Sequence, residues 1–392
     1  MATKREPVSG IQPRVLVWAR TTIGLSKDEV AEKLGRSSEE IEAWEKGADA
    51  PTYSQLEKLA YQVYKRPLAM FFLPSPPVET LPQHEFRTLP DADLETLHPD
   101  TYIQIRRAHA FQLALADLYE DRNPSAKCIW RSVRLSQTDS VYEQAKNIRE
   151  FLDVDIADQA KWSGDAIGLK QWRKAIEDAG VFVFKAAFKQ KDISGFCFVN
   201  DQFPIVYLNN STTKTRQTFS LLHELAHILL SINGMGKLDY SYIERLPYEA
   251  KQIERFCNSI AAEVLIPAAD FAHEAKGLPR NVEDASDEQF SALANRYGVS
   301  REAILRRFLD EEKVSQAFYE LKARVWNAQK KAVGGGNWYS NQGAYLSDRF
   351  ANEVVSRHYQ RKITLEQAAD FLGMKPKSFP GFEERILQGV PA

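Results

Sequence analysis

Ser220-Leu221-Leu222-His223-Glu224-Leu225-Ala226-His227-Ile228-Leu229-Leu230 is the stretch around which the chain is arranged. On a helix, residues four apart lie on one face, so His223 and His227 can hold one metal ion between them. Glu224 sits about 100° round the helix from His223, within reach of a water at such a metal without being a ligand. The run is otherwise apolar, which predicts a buried helix. Two imidazoles and a carboxylate in such surroundings need a partner, and a zinc ion supplies one. The bland alternative is a chance H-E-x-x-H on a core helix. With seven histidines in the chain, that coincidence is uncommon.

A length of 392 residues allows two or three domains. The 44% hydrophobic and 27% charged content is that of a soluble globular protein. A net charge of −2 gives no general attraction to nucleic acid, so any such contact must come from a local patch. Cys128, Cys197 and Cys257 are few, odd in number and widely spaced, which predicts free core thiols in a reducing compartment. The start, Met1 to Pro7, has no apolar core of the signal-peptide kind. No run approaches the roughly 18 apolar residues of a membrane span. A cytoplasmic protein with no membrane segment is expected.

From Val15 to Leu73 the pattern is a set of short helices. Ser26 and Glu29 form a capping-box pair for a helix running to Leu34, which Gly35 stops. Ser37 or Ser38 caps the next, Glu39 to Glu45, ended by Gly47. Helix, short glycine-containing turn, helix is the helix-turn-helix rhythm. Leu25-Ser26, Val30-Ala31, Leu34-Gly35, Ile41, Trp44-Glu45-Lys46-Gly47 and Leu59-Ala60 resemble the Xre/Cro-type repressor fold, over a domain expected at 1–75. A DNA-reading helix offers Arg, Lys, Gln or Asn to bases and phosphates. This one offers Glu39, Glu40, Glu42 and Glu45 against Arg36 and Lys46, which favours protein docking and leaves DNA contact open. The proline-punctuated stretch 65–90 reads as a linker, with Phe71-Phe72-Leu73 as either the last core residues or a packing cluster. Scaffold helices are expected over about 100–121 and 140–152, and the linker and first scaffold are bounded at 76–135.

Past Gly168 the pattern changes. A helix from Leu169 to Ala179 precedes three apolar runs: Val181–Phe184, Gly195–Val199 and Pro204–Leu208. Aromatic and β-branched content predicts short strands of a small sheet. A strand containing Pro204 belongs at a sheet edge, where an extended peptide could be added by strand pairing.

Two histidines leave a catalytic zinc one protein ligand short. The stretch Ile253 to Pro267 predicts a second helix with Glu254, Asn258 and Ala261 on one face. Glu263 lies about 180° from Glu254 and reads as solvent-facing. Glu254 is therefore the expected third ligand and Glu249 the reserve.

Residues 193–267 resemble the ImmA/IrrE family of metallopeptidases. The residues that carry this are Ile205-Val206-Tyr207-Leu208-Asn209, Arg216, Phe219, the His223-Glu224-Leu225-Ala226-His227 motif, and Glu254, Asn258, Ala261-Ala262 and Leu265-Ile266-Pro267. Ala226 stands where glycine is usual, and Phe256-Cys257 where smaller residues are common. The resemblance implies zinc held by His223, His227 and Glu254, with Glu224 as general base taking a proton from water and passing it to the leaving amine. Tyr240, Tyr242, Tyr248 and His273 are the candidate oxyanion donors, with no choice among them.

A second helix-turn-helix-like pair is expected over 287–309, its second helix carrying Arg301, Arg306 and Arg307. It reads as packed on the preceding domain with its arginines in solvent, DNA contact being the rival reading. Gly334-Gly335-Gly336-Asn337 marks a flexible break. Tyr345 to Ile386 predicts a helical docking or dimerising element. The expected fold class is α+β and mainly helical. It comprises an all-α helix-turn-helix domain, a zincin-like metalloprotease domain over 136–312 and a helical region over 313–392. The expected function is a zinc endopeptidase that cuts a helix-turn-helix repressor or antitoxin. The competing one is a DNA-binding regulator whose protease-like domain senses or docks.

Overall fold

Short helices fill the first of two units into which the chain divides, Met1–Arg107 with Phe188–Gln190; the second is Ala108–Ala187 with Lys191–Ala392. The computed structural model describes residues 6–79, 85–86, 97–237, 240–328 and 345–387, the side chains of residues 240, 241 and 327 excepted.

In the first unit, α1 (Pro13–Thr21), α2 (Lys27–Leu34), α3 (Ser38–Lys46) and α4 (Tyr53–Lys58) enclose Val15, Leu16, Val30, Ile41, Trp44 and Leu56. The Ser26–Glu29 capping box forms as expected, and Ser37 rather than Ser38 caps α3, its Oγ accepting from the Glu40 N–H at 3.3 Å. Gly35 and Gly47 end α2 and α3 at φ 63° and 72°, a left-handed backbone that side chains resist. Glu45 leaves the acidic surface: its carboxylate accepts two bonds from Arg20, at 2.6 and 3.0 Å, tying α3 to α1. Residues 65–79 are no free linker. Phe71 is fully buried and stacks on Tyr64, and Arg66 lies over Trp18 and pairs with Glu79. Phe72 and Leu73 stay exposed. The rest of the expected linker falls mostly outside the described residues.

α5 (Pro99–Leu118) begins in the first unit and ends in the second. The second unit continues with α6 (Ile129–Ser132), α7 (Val141–Phe151), α8 (Ile156–Gln159) and α9 (Asp165–Asp178). α9 starts four residues before the expected Leu169 and carries Gly168 inside it, a helix cost of about 1 kcal/mol that packing offsets.

The sheet has four strands: β1 (Phe182–Ala186), β2 (Ile193–Phe198), β3 (Ile205–Asn209) and β4 (Met235–Lys237), in the order β1-β3-β2-β4. β3 runs parallel to β1 and antiparallel to β2, and β4 antiparallel to β2. The expectation of an edge position for the Pro204 strand is thus wrong. Pro204 stands just before β3, where it only accepts, from the Phe182 N–H at 3.0 Å, so its missing donor breaks no ladder bond. The edges are β1 and β4, and β4 is a strand that sequence periodicity did not show, being three residues long with a central glycine. Alternation sorts the strand side chains by face. Val183, Cys197, Val206 and Leu208 join the apolar core of the helices. On the opposite face Phe111 of α5 stacks on Phe184 at 4.1 Å, His109 on Phe198 at 4.3 Å and Phe196 on Tyr207 at 5.1 Å.

α10 (Lys214–Leu229), capped by Thr213, and α11 (Tyr248–Leu265) pack against each other, and α10 lies against the sheet. α12 (Ala268–Glu274), α13 (Asp287–Tyr297), α14 (Arg301–Asp310) and α15 (Gln316–Ala328) follow. A single apolar core extends from Ile129 and Leu135 to Val314 and Trp326, across the boundaries read at 135 and 312. The arginines of α14 are engaged within the unit. Arg307 bonds Glu263 at 2.7 Å, and Arg301 lies over Trp326 and 3.6 Å from Asp287; the exposed Arg306 pairs with Asp310. Gly334 to Asn337 lie outside the described residues. α16 (Asp348–Tyr359), α17 (Leu365–Phe371) and α18 (Phe379–Leu387) form the expected C-terminal helical element, and it docks on this chain itself. Phe350 meets Phe184 edge-on at 5.7 Å, Arg349 donates to the Glu177 carbonyl, and Arg173 donates to that of Leu346. Among the described residues no helix is long and apolar enough to cross a membrane.

Candidate metal centre

The sequence requirement for this site is two helices whose polar residues face inward from apolar surroundings. α10 supplies His223, Glu224 and His227, flanked by Leu221, Leu222, Leu225, Ile228 and Leu229, all of them buried. α11 supplies Glu254, with Cys257 and Ala261 buried on the same side. Ala261 has no bulk to hold the two helices apart.

The structure brings the expected residues together. His223 Nε2 and His227 Nε2 lie 3.2 Å apart, and Glu254 places Oε2 3.4 Å from the first and Oε1 3.3 Å from the second. His227, Glu224 and Glu254 are wholly buried, and His223 is 5% exposed. The three ligand-type atoms lie within 4.8 Å of one another, a set that could hold a metal ion. The donor chemistry fits zinc: two imidazole nitrogens and one carboxylate oxygen are its usual three-protein-ligand set. Glu254 Oε1 supports the fit, being a buried carboxylate oxygen with no hydrogen-bond partner beside His227.

Burial alone would raise the Glu254 carboxyl, but His227 and His223 together hold it well below the usual carboxylate range. Burial pushes the Glu224 carboxyl up, against the pull of the same two histidines. Glu224 Oε1 accepts the Gly236 N–H at 3.1 Å, while Oε2 has no hydrogen-bond partner. Cys257 lies against His227, and burial raises its thiol.

Two glycines let the β4 segment approach this closely. A Cβ on Gly234 would fall 2.5 Å from His227 Cγ, and one on Gly236 would fall 2.8 Å from Glu224 Oε1 and from Ser194 Oγ. Arg216, one of the residues that carry the family resemblance, donates to the Lys237 carbonyl at 2.9 Å. It thereby secures the edge strand beside the cleft. That small cleft is lined by Ser194, Arg216, Phe219, His223, Gly236, Lys237, Tyr242 and Asn258.

The alternatives separate cleanly. Glu249 is exposed in the first turn of α11. Glu263 is 6% exposed rather than solvent-facing: it accepts from the Ala268 N–H at 2.8 Å and from Arg307. Helix geometry placed it opposite Glu254 correctly, but the α14 packing that covers it has no signature in α11. Of the candidate oxyanion donors, Tyr242 sits at the site with its hydroxyl 2.7 Å from Glu254 Oε2. Tyr248 is 76% exposed, His273 is exposed, and the Tyr240 side chain lies outside the description. Gly234 and Gly236 were not read from the sequence; a G-x-G a few residues past the second histidine was the signal for a close backbone approach.

Residues 176–309 match the family model of the IrrE N-terminal-like domain, Peptidase_M78. The matched span runs from the end of α9 to α14 and contains the whole sheet, both helices of the centre and the helix pair behind them. It covers the residues that carry the resemblance to ImmA/IrrE metallopeptidases. No curated protein matches the chain.

Proposed function

We propose that the chain is a zinc-dependent endopeptidase that cleaves a regulatory protein and so relieves transcriptional repression in a stress, phage or mobile-element response. One observation carries this reading. His223, His227 and Glu254 converge in a buried cluster with Glu224 beside them, inside a span that matches a peptidase family. His223 and His227 would hold zinc through Nε2 and Glu254 through a carboxylate oxygen. Zinc in such a set supplies Lewis acidity, making water a nucleophile near neutral pH and polarising a carbonyl.

The other work falls to the chain's own side chains. Gly236 N–H fixes Glu224 Oε1, which leaves Oε2 to take a proton from the attacking water and return it to the leaving nitrogen. The β4 edge offers a backbone against which an extended substrate could pair. By family resemblance the substrate is a helix-turn-helix repressor or an antitoxin. The N-terminal unit would then act as a helix-turn-helix module for protein docking; Glu39, Glu40 and Glu42 on α3 oppose phosphate contact. This acidic helix, together with the complete ligand set, speaks against a DNA-binding regulator with a merely sensory peptidase domain.

The test has two arms. Purified chain should carry one zinc, and proteins that accumulate uncut in a strain bearing Glu224→Gln should include the substrate. Substoichiometric zinc after saturation, or full regulatory function with Glu224→Gln, would sink the enzyme reading.

A further inference from the structure

We propose that Tyr242 is a positioning residue that makes Glu254 a one-oxygen ligand and so keeps a coordination place open for water and substrate. The inference deepens the metal-centre reading and rests on it. A carboxylate beside a cation can offer one oxygen or both, and offering both takes up a place that water or substrate could otherwise use. Here the two oxygens are not equivalent. Each lies beside one imidazole, Oε2 3.4 Å from His223 Nε2 and Oε1 3.3 Å from His227 Nε2, but only Oε2 accepts the Tyr242 hydroxyl, at 2.7 Å, and Oε1 has no hydrogen-bond partner. A hydrogen bond of that length withdraws electron density from Oε2 and fixes the plane of the carboxylate, leaving Oε1 as the ligand atom.

The aim of the phenol is built in. Tyr242 is 3% exposed on a 3-10 turn, Tyr240–Arg245, that leads into α11, the helix bearing Glu254. Ile243 and Leu246 anchor the turn by burial. Glu244 ties it to α11 by accepting from Lys251 at 2.5 Å and Arg255 at 2.7 Å. The turn runs directly into the ligand helix, so the hydroxyl and its carboxylate come from one continuous segment.

Tyr242→Phe deletes only the O–H and keeps the ring in its packing. Two readouts independent of turnover apply: zinc affinity by competition with a chromogenic chelator, and the visible spectrum of the cobalt(II)-substituted protein, which reports coordination number. The expected result is an affinity loss of about 10- to 100-fold and a change from an intense four-coordinate spectrum to a weaker, higher-coordinate one. The apo-protein should still melt cooperatively, at a somewhat lower temperature because a buried carboxylate loses a hydrogen bond. Wild-type affinity and an unaltered cobalt spectrum in Tyr242→Phe would overturn the inference while leaving the peptidase reading intact. A wild-type protein that takes up neither ion would instead overturn that reading, and this inference with it.

Discussion

At the scale of single residues, the centre is defined by what touches Glu224 and His227. Glu224→Gln keeps the size and the Gly236 bond but cannot accept a proton. Zinc content should be unchanged and peptide cleavage should fall by about 10²- to 10⁴-fold, measured as single turnovers. Gly234→Ala makes a different kind of lesion. The added methyl would sit 2.5 Å from His227 Cγ, so either the imidazole or the β4 segment must shift. Zinc affinity should drop by at least the roughly 10- to 100-fold typical of a disturbed ligand, as chelator competition would show. Wild-type affinity in that variant would mean that β4 yields without cost. The H-E-x-x-H motif made His223, Glu224 and His227 legible because a four-residue spacing has one meaning on a helix. The glycines were not legible, because their role depends on a strand that returns to α10 from elsewhere in the fold.

At the scale of elements, the end of α11 is held from two sides by Glu263, which bonds the Ala268 N–H and Arg307 of α14. Glu263→Ala leaves the Ala268 N–H without its acceptor and the mostly buried Arg307 with Glu311 alone. Unfolding in urea should register a loss of about 1–3 kcal/mol, with zinc affinity affected little because Glu254 lies more than two turns away. Equal stability of the variant would show that solvent replaces both bonds. A periodicity argument assigns Glu263 to the surface because α11 is amphipathic around Glu254; only the arrival of α14 makes that second face an interior one. Arg301 and Arg307 illustrate the same limit. As sequence they form a basic stripe, and in the fold each is spent on a neighbour.

At the scale of the whole second unit, the C-terminal segment brings charge to the edge strand β1. Lys185 of β1 is 7% exposed, and its amine is pushed down to about 7 by burial first, then by Arg173 and Lys214, with Asp348 and Glu177 opposing. An unfolded lysine keeps its proton to about pH 10.4, so between pH 7 and 10 the unfolded state binds more protons and stability rises with pH. Glu177 has the opposite sign. Burial raises it to about 7, so its contribution falls as pH rises from the ordinary carboxylate range to 7 and is flat above. Denaturation of wild type and Lys185→Met across pH 7–10 should therefore show the stability of wild type climbing relative to the variant, and parallel curves would refute a neutral buried amine.

The chain's own chemistry determined the His223–His227 pair with Glu224 beside it, the helix face that carries Glu254 and the mainly helical character with a small sheet. Each follows from interactions between residues close in sequence, where helix spacing and capping act. Tertiary structure decided the strand order, the central place of β3, the burial of Glu263, the hydroxyl that selects one oxygen of Glu254 and the docking of the C-terminal helices onto Phe184 and Arg173. These depend on which distant segments meet, and the free energy of such meetings is spread over packing that no local pattern records.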